Sequence, residues 1–395
     1  MDSEGNHHQR DAVSSPSLTD EAIAKALTSL SLHAPPQLPT LPLDLISEIL
    51  TRLPVKLLLQ LRSVCKSWNC LISDSKFAMK HLRLSNTHLV HTSINSYSSS
   101  SSKYVLKSYP LDSVFADVTT NPIAQLEFPS DISVYHVGSF NGILCLATDY
   151  GCYMIVRLWN PSIRKFKELP SLEKQQNHLR QDLIYGFGYD VITNAYNVVV
   201  GLRVRDMSGH FVDNHEVKVH TLGTNSWKTI QNIPFGCVPL QLLGKFVSGT
   251  INWLVYNEYD KEIQIVSLDL GNESYKQVLL PNEVDVSTLR HHLGVMKDCL
   301  CLVFGHDVWI MKEHGNKDSW TKLYSVSYMR DHPSSYATIE VLHVFEDGRV
   351  LLDSISTEEW TKKLVFYNSR NGTTKFSEPK IIHDVCIESL ISPCS

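Results

Sequence analysis

From Leu41 to Leu82 apolar residues return at helical spacing. At about 100° per residue, Leu43, Ile46, Leu50 and Leu53 fall on one stripe, and Leu45 and Ile49 fall roughly a quarter-turn away. Asp44, Ser47, Glu48, Thr51 and Arg52 fill the remaining side. Pro42 suits a first helical turn, and Leu53-Pro54 ends one helix and begins the next. The following stretch places Leu57, Leu58, Leu61, Val64, Cys65, Trp68, Leu71 and Ile72 at the same period. A region of about 40 residues cannot hide that much leucine and isoleucine within itself, and no staple is evident. Its second dry face is expected to meet another protein, the alternative being the downstream part of the same chain.

Beyond Leu84 the period changes from helical to alternating, and Ser, Gly, Asn and Asp interrupt it every few residues. Residues 157–170, 219–234, 266–281, 309–326 and 365–379 each read as an apolar strand, a polar turn and a second strand carrying an aromatic. Each pattern predicts a β-hairpin. A second kind of hairpin precedes most of them, at 137–147, 246–255, 293–304 and 343–353. Its turn recurs with a step of 49 residues from Gly249 to Asp298 and 49 again to Asp347. Two hairpins per repeat make a four-stranded sheet, which buries both faces only by stacking against copies of itself. The expectation is an all-β propeller of five to seven such sheets over about 88–395, with an irregular β-sandwich as the alternative.

Composition narrows the function classes. The chain has 395 residues, 43% of them hydrophobic, enough for two or three domains. Net charge is −5 and no Lys/Arg stripe appears, so nucleic-acid binding has little support. No apolar run is long enough to cross a bilayer, and the N-terminus lacks a signal-peptide pattern, so no membrane role is expected. Nine cysteines without framework spacing read as reduced thiols, and cytoplasm and/or nucleus is the expected location. The sequons at Asn272 and Asn371 are then chance matches. Residues 1–38, polar and Ser/Pro-containing, are expected to form a disordered tail.

The segment 39–84 resembles an F-box. The resemblance rests on Leu41-Pro42, Asp44-Leu45, Ile49-Leu50, Arg52-Leu53-Pro54-Val55-Lys56, Val64-Cys65-Lys66-Ser67-Trp68, Leu71-Ile72 and Phe77 through His81-Leu82. It implies a small all-α, three-helix unit that binds a Skp-type adaptor, and through it a cullin-RING ubiquitin ligase. Carried over residue by residue, the adaptor-contact candidates are Leu41, Pro42, Leu45, Ile46, Ile49, Leu50, Leu53, Pro54 and Trp68. Residues 85–395 resemble the kelch-like, F-box-associated domain of plant F-box proteins, through "SFNGILCL", "LWNPSIRKFKELP", "YGFGYD", "VSGTINWL" and "VSLDL". The double glycine of an orthodox kelch blade is missing, and Gly186-Phe187-Gly188-Tyr189-Asp190 is the nearest echo. The implied function is substrate recognition for the ligase, without catalysis by this chain. Alternatives are a binding module outside the ligase, recognising a small molecule or glycan, and a propeller hydrolase.

Candidate chemistry is sparse. His291, His292, Cys299, Cys301 and His306 could ligate zinc, but their spacing fits no standard finger, and in a strand Cys299 and Cys301 share a face as core residues. No nucleophile elbow, phosphate loop or paired carboxylates appear, so no catalytic residue, metal or cofactor is expected. Most of the tryptophans at 159, 227, 253, 309, 320 and 360 read as packing between sheets. Target specificity is expected in the loops 172–183, 203–216 and 282–292, with Arg180, Arg203, Arg205, His210, His215, Arg290 and His291 as candidate contacts to an unidentified protein.

Overall fold

The computed structural model describes residues 41–96, 102–111, 122, 124–129, 133–174, 180–205, 216–234, 236–282, 291–326, 336–345, 347–356, 362–376 and 382–394. The expected N-terminal tail lies outside them. The chain divides into two compact units, Met1–Ile49 and Leu50–Ser395.

Four short helices open the described chain: α1 (Leu43–Leu50), α2 (Val55–Leu61), α3 (Lys66–Ser73) and α4 (Ser75–Leu82). Three were expected from the resemblance. The extra break falls at Asp74, whose extended backbone (ψ 135°) stops α3. Its carboxylate then accepts hydrogen bonds from the Lys76 and Phe77 amides (2.7 and 3.1 Å), satisfying the first free N–H groups of α4. Lys80 and His81 in the last turn complement the helix dipole. Leu50, Val55, Leu58, Ile72, Phe77 and Ala78 are buried.

The strands form six sheets. Blade 1 takes β1 (Thr87–Ser96), β2 (Ser102–Pro110) and β3 (Ala124–Pro129) together with β26 (Ile382–Ile387), in the order β26-β1-β2-β3. Blade 2 is β4 (Ser133–Phe140), β5 (Ile143–Asp149), β6 (Tyr153–Asn160) and β7 (Lys165–Glu168), with the short β8 (Leu172–Glu173) on β6. Blade 3 is β9 (Arg180–Asp190), β10 (Ala195–Arg205), β11 (Glu216–Thr221) and β12 (Lys228–Ile230). In blade 4, β13 (Cys237–Pro239) and β14 (Lys245–Val247) both pair with β15 (Thr250–Asn257), followed by β16 (Glu262–Asp269) and β17 (Ser274–Val278). Blade 5 is β18 (His291–Met296), β19 (Cys299–Phe304), β20 (Asp307–Met311) and β21 (Trp320–Ser325). Blade 6 is β22 (Tyr336–Val344), β23 (Arg349–Ser356), β24 (Lys362–Asn368) and β25 (Thr374–Phe376).

The first strand of each blade abuts the first strand of the next, from β26 through β4, β9, β14, β18 and β22 back to β26. The ring is therefore closed, and the sandwich alternative is excluded. Every neighbouring pair of blades shares an apolar core, because alternate side chains of a strand point to opposite faces. Ile143, Cys145 and Ala147 of β5 pack toward blade 3 with Tyr185 and Val198. Leu144 and Leu146 of the same strand pack toward blade 1 with Val90 and Leu106. Equivalent cores join blades 3 and 4, 4 and 5, and 5 and 6. A smaller one, with Leu351, Leu364 and the partly buried Val385, joins blades 6 and 1.

Turn chemistry explains the repeat. Asn141-Gly142, Ser248-Gly249 and Lys297-Asp298 all have positive φ, as two-residue hairpins of the twist-matched kind require. The 49-residue step seen in the sequence is the recurrence of this inner turn. Tryptophans link blades as well as filling them. The indole N–H groups of Trp227, Trp253 and Trp320 donate to the carbonyls of Pro170, Tyr185 and Leu279, each in the preceding blade (2.8, 3.0 and 3.1 Å). Trp159 and Trp309 are buried in interblade cores, and Trp360 lies outside the described residues.

His88, buried in β1, gives this body a pH signature. Burial pushes its imidazole from 6.5 down to about 4. An unfolded chain takes up that proton near 6.5 and the native one resists until about 4. The contribution is therefore complete above 6.5 and is lost as pH falls through that window, by up to about 3 kcal/mol. Replacing His88 by Gln should flatten the fall of the urea midpoint between those pH values, and an unchanged slope would show that another group governs it.

Candidate functional site

Two surfaces bear on function: the exposed apolar side chains of the helical segment, and one end of the propeller. Leu41, Leu45 and Ile49, spaced by four, are 54%, 52% and 53% exposed, and Leu43 is 63% exposed. Large apolar groups so open to water mark a binding surface when they are contiguous; Leu45 and Ile49, four apart, share one face of α1, and Leu41 lies just before its first turn. The second dry face expected from the pattern is thus present. Of the other adaptor candidates, Pro42 and Pro54 are exposed and Ile46, Leu53 and Trp68 are half-buried. Leu50 differs: it is buried at the end of α1 and belongs to the interior. Leu43, which the sequence pattern put on the same stripe as Leu50, is exposed. Leu57 and Val64 are also exposed, at 40% and 61%. Leu57 was marked in the sequence only by its place in an apolar period and Val64 by that and the F-box resemblance, neither of which tells inward from outward.

The turn joining α1 to α2 has an unusual set of partners. The Leu53 amide donates to the Leu50 carbonyl, and Pro54 has no amide to satisfy. Nε2 of the buried His81 donates to the Leu53 carbonyl at 2.8 Å, with Ser85 Oγ 2.9 Å from its Nδ1. The Val55 amide donates to Glu388 Oε1 at 2.9 Å, across 333 residues of chain.

Strand direction sorts the propeller into two ends. Every blade runs up, down, up, down, so its first and third turns share one end with the residues that follow β26 and with Asn86, which leads into β1. The middle turns and the connections between blades share the other end. Arg180 opens β9, and Arg203 and Arg205 close β10, with Arg205 in register with Arg180 and Arg203 with Asp182. His291 opens β18. The backbones of these four therefore lie at the end away from Asn86. His210, His215 and Arg290 lie outside the described residues. The His291 side chain is buried and stacks on Phe304, with ring centroids 4.7 Å apart.

Near the axis, ion pairs cross between inner strands. Lys245 Nζ of β14 bonds Glu340 of β22, and His292 Nε2 of β18 lies 3.6 Å from the same carboxylate. His136 Nδ1 of β4 meets Asp384 of β26 at 2.6 Å. Burial alone would weaken the hold of Lys245 on its proton, but the Glu340 carboxylate and its hydrogen bond, with Asp384 and Asp353 beyond, outweigh burial and raise its pKa. This cluster is a clamp between blades. Among the described residues no three His, Cys, Asp or Glu side chains converge on a metal position. Cys301 lies in the core between blades 5 and 6 with Cys299 packed against it, and burial pushes the Cys301 thiol up to about 12. His306 is instead at the surface, 3.6 Å from Asp307. No described helix is long and apolar enough to cross a membrane.

Comparison with known proteins agrees with this architecture. The F-box domain family model matches residues 38–80, and the F-box associated beta propeller domain model matches residues 83–390. The chain belongs to the F-box proteins that carry an F-box-associated β-propeller. It is 30% identical over 369 residues to the F-box/kelch-repeat protein At3g23880 of Arabidopsis thaliana, covering 89% of this chain and 96% of that one. The F-box proteins At3g07870 and CPR1 of the same plant are each 27% identical, over 86% and 83% of this chain and 87% and 82% of theirs. Among solved structures, the Dos1 propeller overlays with a TM-score of 0.37 at 8% identity, over 71% of this chain and 67% of that one.

Replacing Lys245 by Met removes the cation that Glu340, Asp384 and Asp353 surround. A loss of roughly 2–3 kcal/mol is expected in urea unfolding, because a half-buried carboxylate loses its counter-charge. A variant as stable as the parent would mean that the clamp contributes nothing.

Proposed function

We propose that the chain is the substrate-recognition subunit of a Skp-cullin-F-box ubiquitin ligase. The exposed apolar residues Leu41, Leu43, Leu45 and Ile49 carry this reading. Burying four or five such side chains under a Skp-type adaptor is worth on the order of 10 kcal/mol gross, before the costs of association. The F-box names of the Arabidopsis relatives point the same way. The propeller then holds a target protein by the end away from Asn86, where the connections between blades gather. The chain performs no chemistry: it raises the local concentration of target lysines at the ubiquitin-charged enzyme and fixes their orientation. Such a complex works in the cytoplasm and/or nucleus.

The test is a full-length Leu45→Asp, Ile49→Asp chain with a purified Skp-type adaptor. Two carboxylates in the middle of the apolar row should lower adaptor affinity by at least about 100-fold. The thermal transition of the propeller should stay in place. Undiminished capture by the folded double variant rejects the docking surface, and with it the ligase assignment.

A further inference from the structure

We propose that Glu388 is a positioning residue for the turn Leu53-Pro54-Val55, so that the propeller's closing strand sets the shape of a loop the adaptor touches. The inference rests on the adaptor reading above and adds to it a dependence of the adaptor-binding segment on ring closure.

Three observations converge. First, the turn satisfies its polar groups from two directions: His81 of α4 takes the Leu53 carbonyl, and Glu388 takes the Val55 amide. The second partner comes from the residue after β26, the strand that closes the ring. A free amide at the start of a helix needs an acceptor, and here the helix's own sequence supplies none: Pro54 occupies the capping position and makes no side-chain bond. Second, Glu388 is buried, and its own amide donates to the Asn86 carbonyl at 2.8 Å, immediately before β1. The carboxylate is thereby fixed at both the backbone and the side chain. Burial outweighs the Val55 bond and the nearby His81, and raises the pKa of the carboxyl. A buried carboxylate is costly and is retained where its acceptor is used.

Third, the segment after Glu388 is strapped to blade 2. Asn160 Nδ2 donates to the carbonyls of Ser389 and Ile391 (3.0 and 2.8 Å), and the Ser389 amide donates to Ser162 Oγ at 3.2 Å. Gly142 lies so close beneath that a Cβ there would stand 2.2 Å from the Ser389 Cβ. The strap leaves Glu388 little freedom to follow the turn if the turn moves. Position information therefore runs from the closed ring to the turn.

The experiment uses the full chain with a purified Skp-type adaptor, comparing Glu388→Ala and Glu388→Gln. Glutamine keeps an oxygen acceptor in reach of the Val55 amide and alanine does not. Glu388→Ala should bind adaptor about tenfold more weakly, and hydrogen exchange at the Val55 amide should speed up by a similar factor. Exchange in the propeller strands should be unchanged. Glu388→Gln should restore both affinity and protection, a rescue that loss of packing alone would not give. Equal adaptor affinity for wild type and Glu388→Ala overturns the proposal, as does a Gln variant as weak as the Ala one. If Glu388→Ala does not fold, Glu388→Asp replaces it with the same readings, since it keeps the charge but withdraws the acceptor by one methylene. If wild type itself binds no adaptor, the ligase reading fails. The exchange rate at Val55 then decides the positioning role alone: faster in the variant supports it, unchanged rejects it.

Discussion

A blade of this protein has two apolar faces and can satisfy neither alone. Leu144 and Leu146 need blade 1 as much as Ile143, Cys145 and Ala147 need blade 3. Only a closed ring covers all of these faces, and closure depends on β26 leaving the far end of the sequence to pair with β1, Val385 opposite Leu89 and Cys386 opposite His88. With that pairing broken, blades 1 and 6 would present cores to water and the remaining interfaces would open in turn. The ion pairs near the axis add further ties: His136 with Asp384 joins the neighbouring blades 2 and 1, and Lys245 with Glu340 reaches past blade 5 to join 4 and 6.

Closure also gives the propeller two unlike ends. Tight inner turns with positive φ, the Asn86 joint and the strap after β26 share one end and are densely hydrogen-bonded. The connections between blades share the other and are free of the packing rules that fix the repeat.

The sequence disclosed what is local and concealed what is not. The inner turns were legible because Asn-Gly and Ser-Gly pairs between apolar runs have few other solutions. The outer hairpins were legible from their polar turns, where Asn160, Asp269 and Asn368 bond amides two residues on. Blade 1 was hidden because its strands lie some 300 residues apart, and no period links 382–387 to 87–96. Blade 4 was partly hidden too: its inner edge is split between β13 and β14, and the intervening Leu243 bridges to Tyr185 of blade 3. In the helical segment the pair Leu45 and Ile49 could be read from its spacing and Leu41 from the F-box resemblance, whereas the burial of Leu50 and exposure of Leu43 depend on where neighbours sit. Glu388 gave no signal at all. A lone carboxylate in "VCIESLISP" looks like any surface residue until the fold brings it to the Val55 amide.

One consequence concerns synthesis. A chain emerging from the ribosome makes the helical segment first and β26 last, so for most of its translation blade 1 lacks its inner strand and the turn at Pro54 lacks Glu388. Nascent chains should therefore linger as open arcs with two sticky rims, the state in which chaperones are most needed. They should acquire a fully formed helical segment only after residue 388 clears the exit tunnel. Quality control is thereby built into chain order: a chain without its closing strand also lacks the Glu388 acceptor for its Val55 amide.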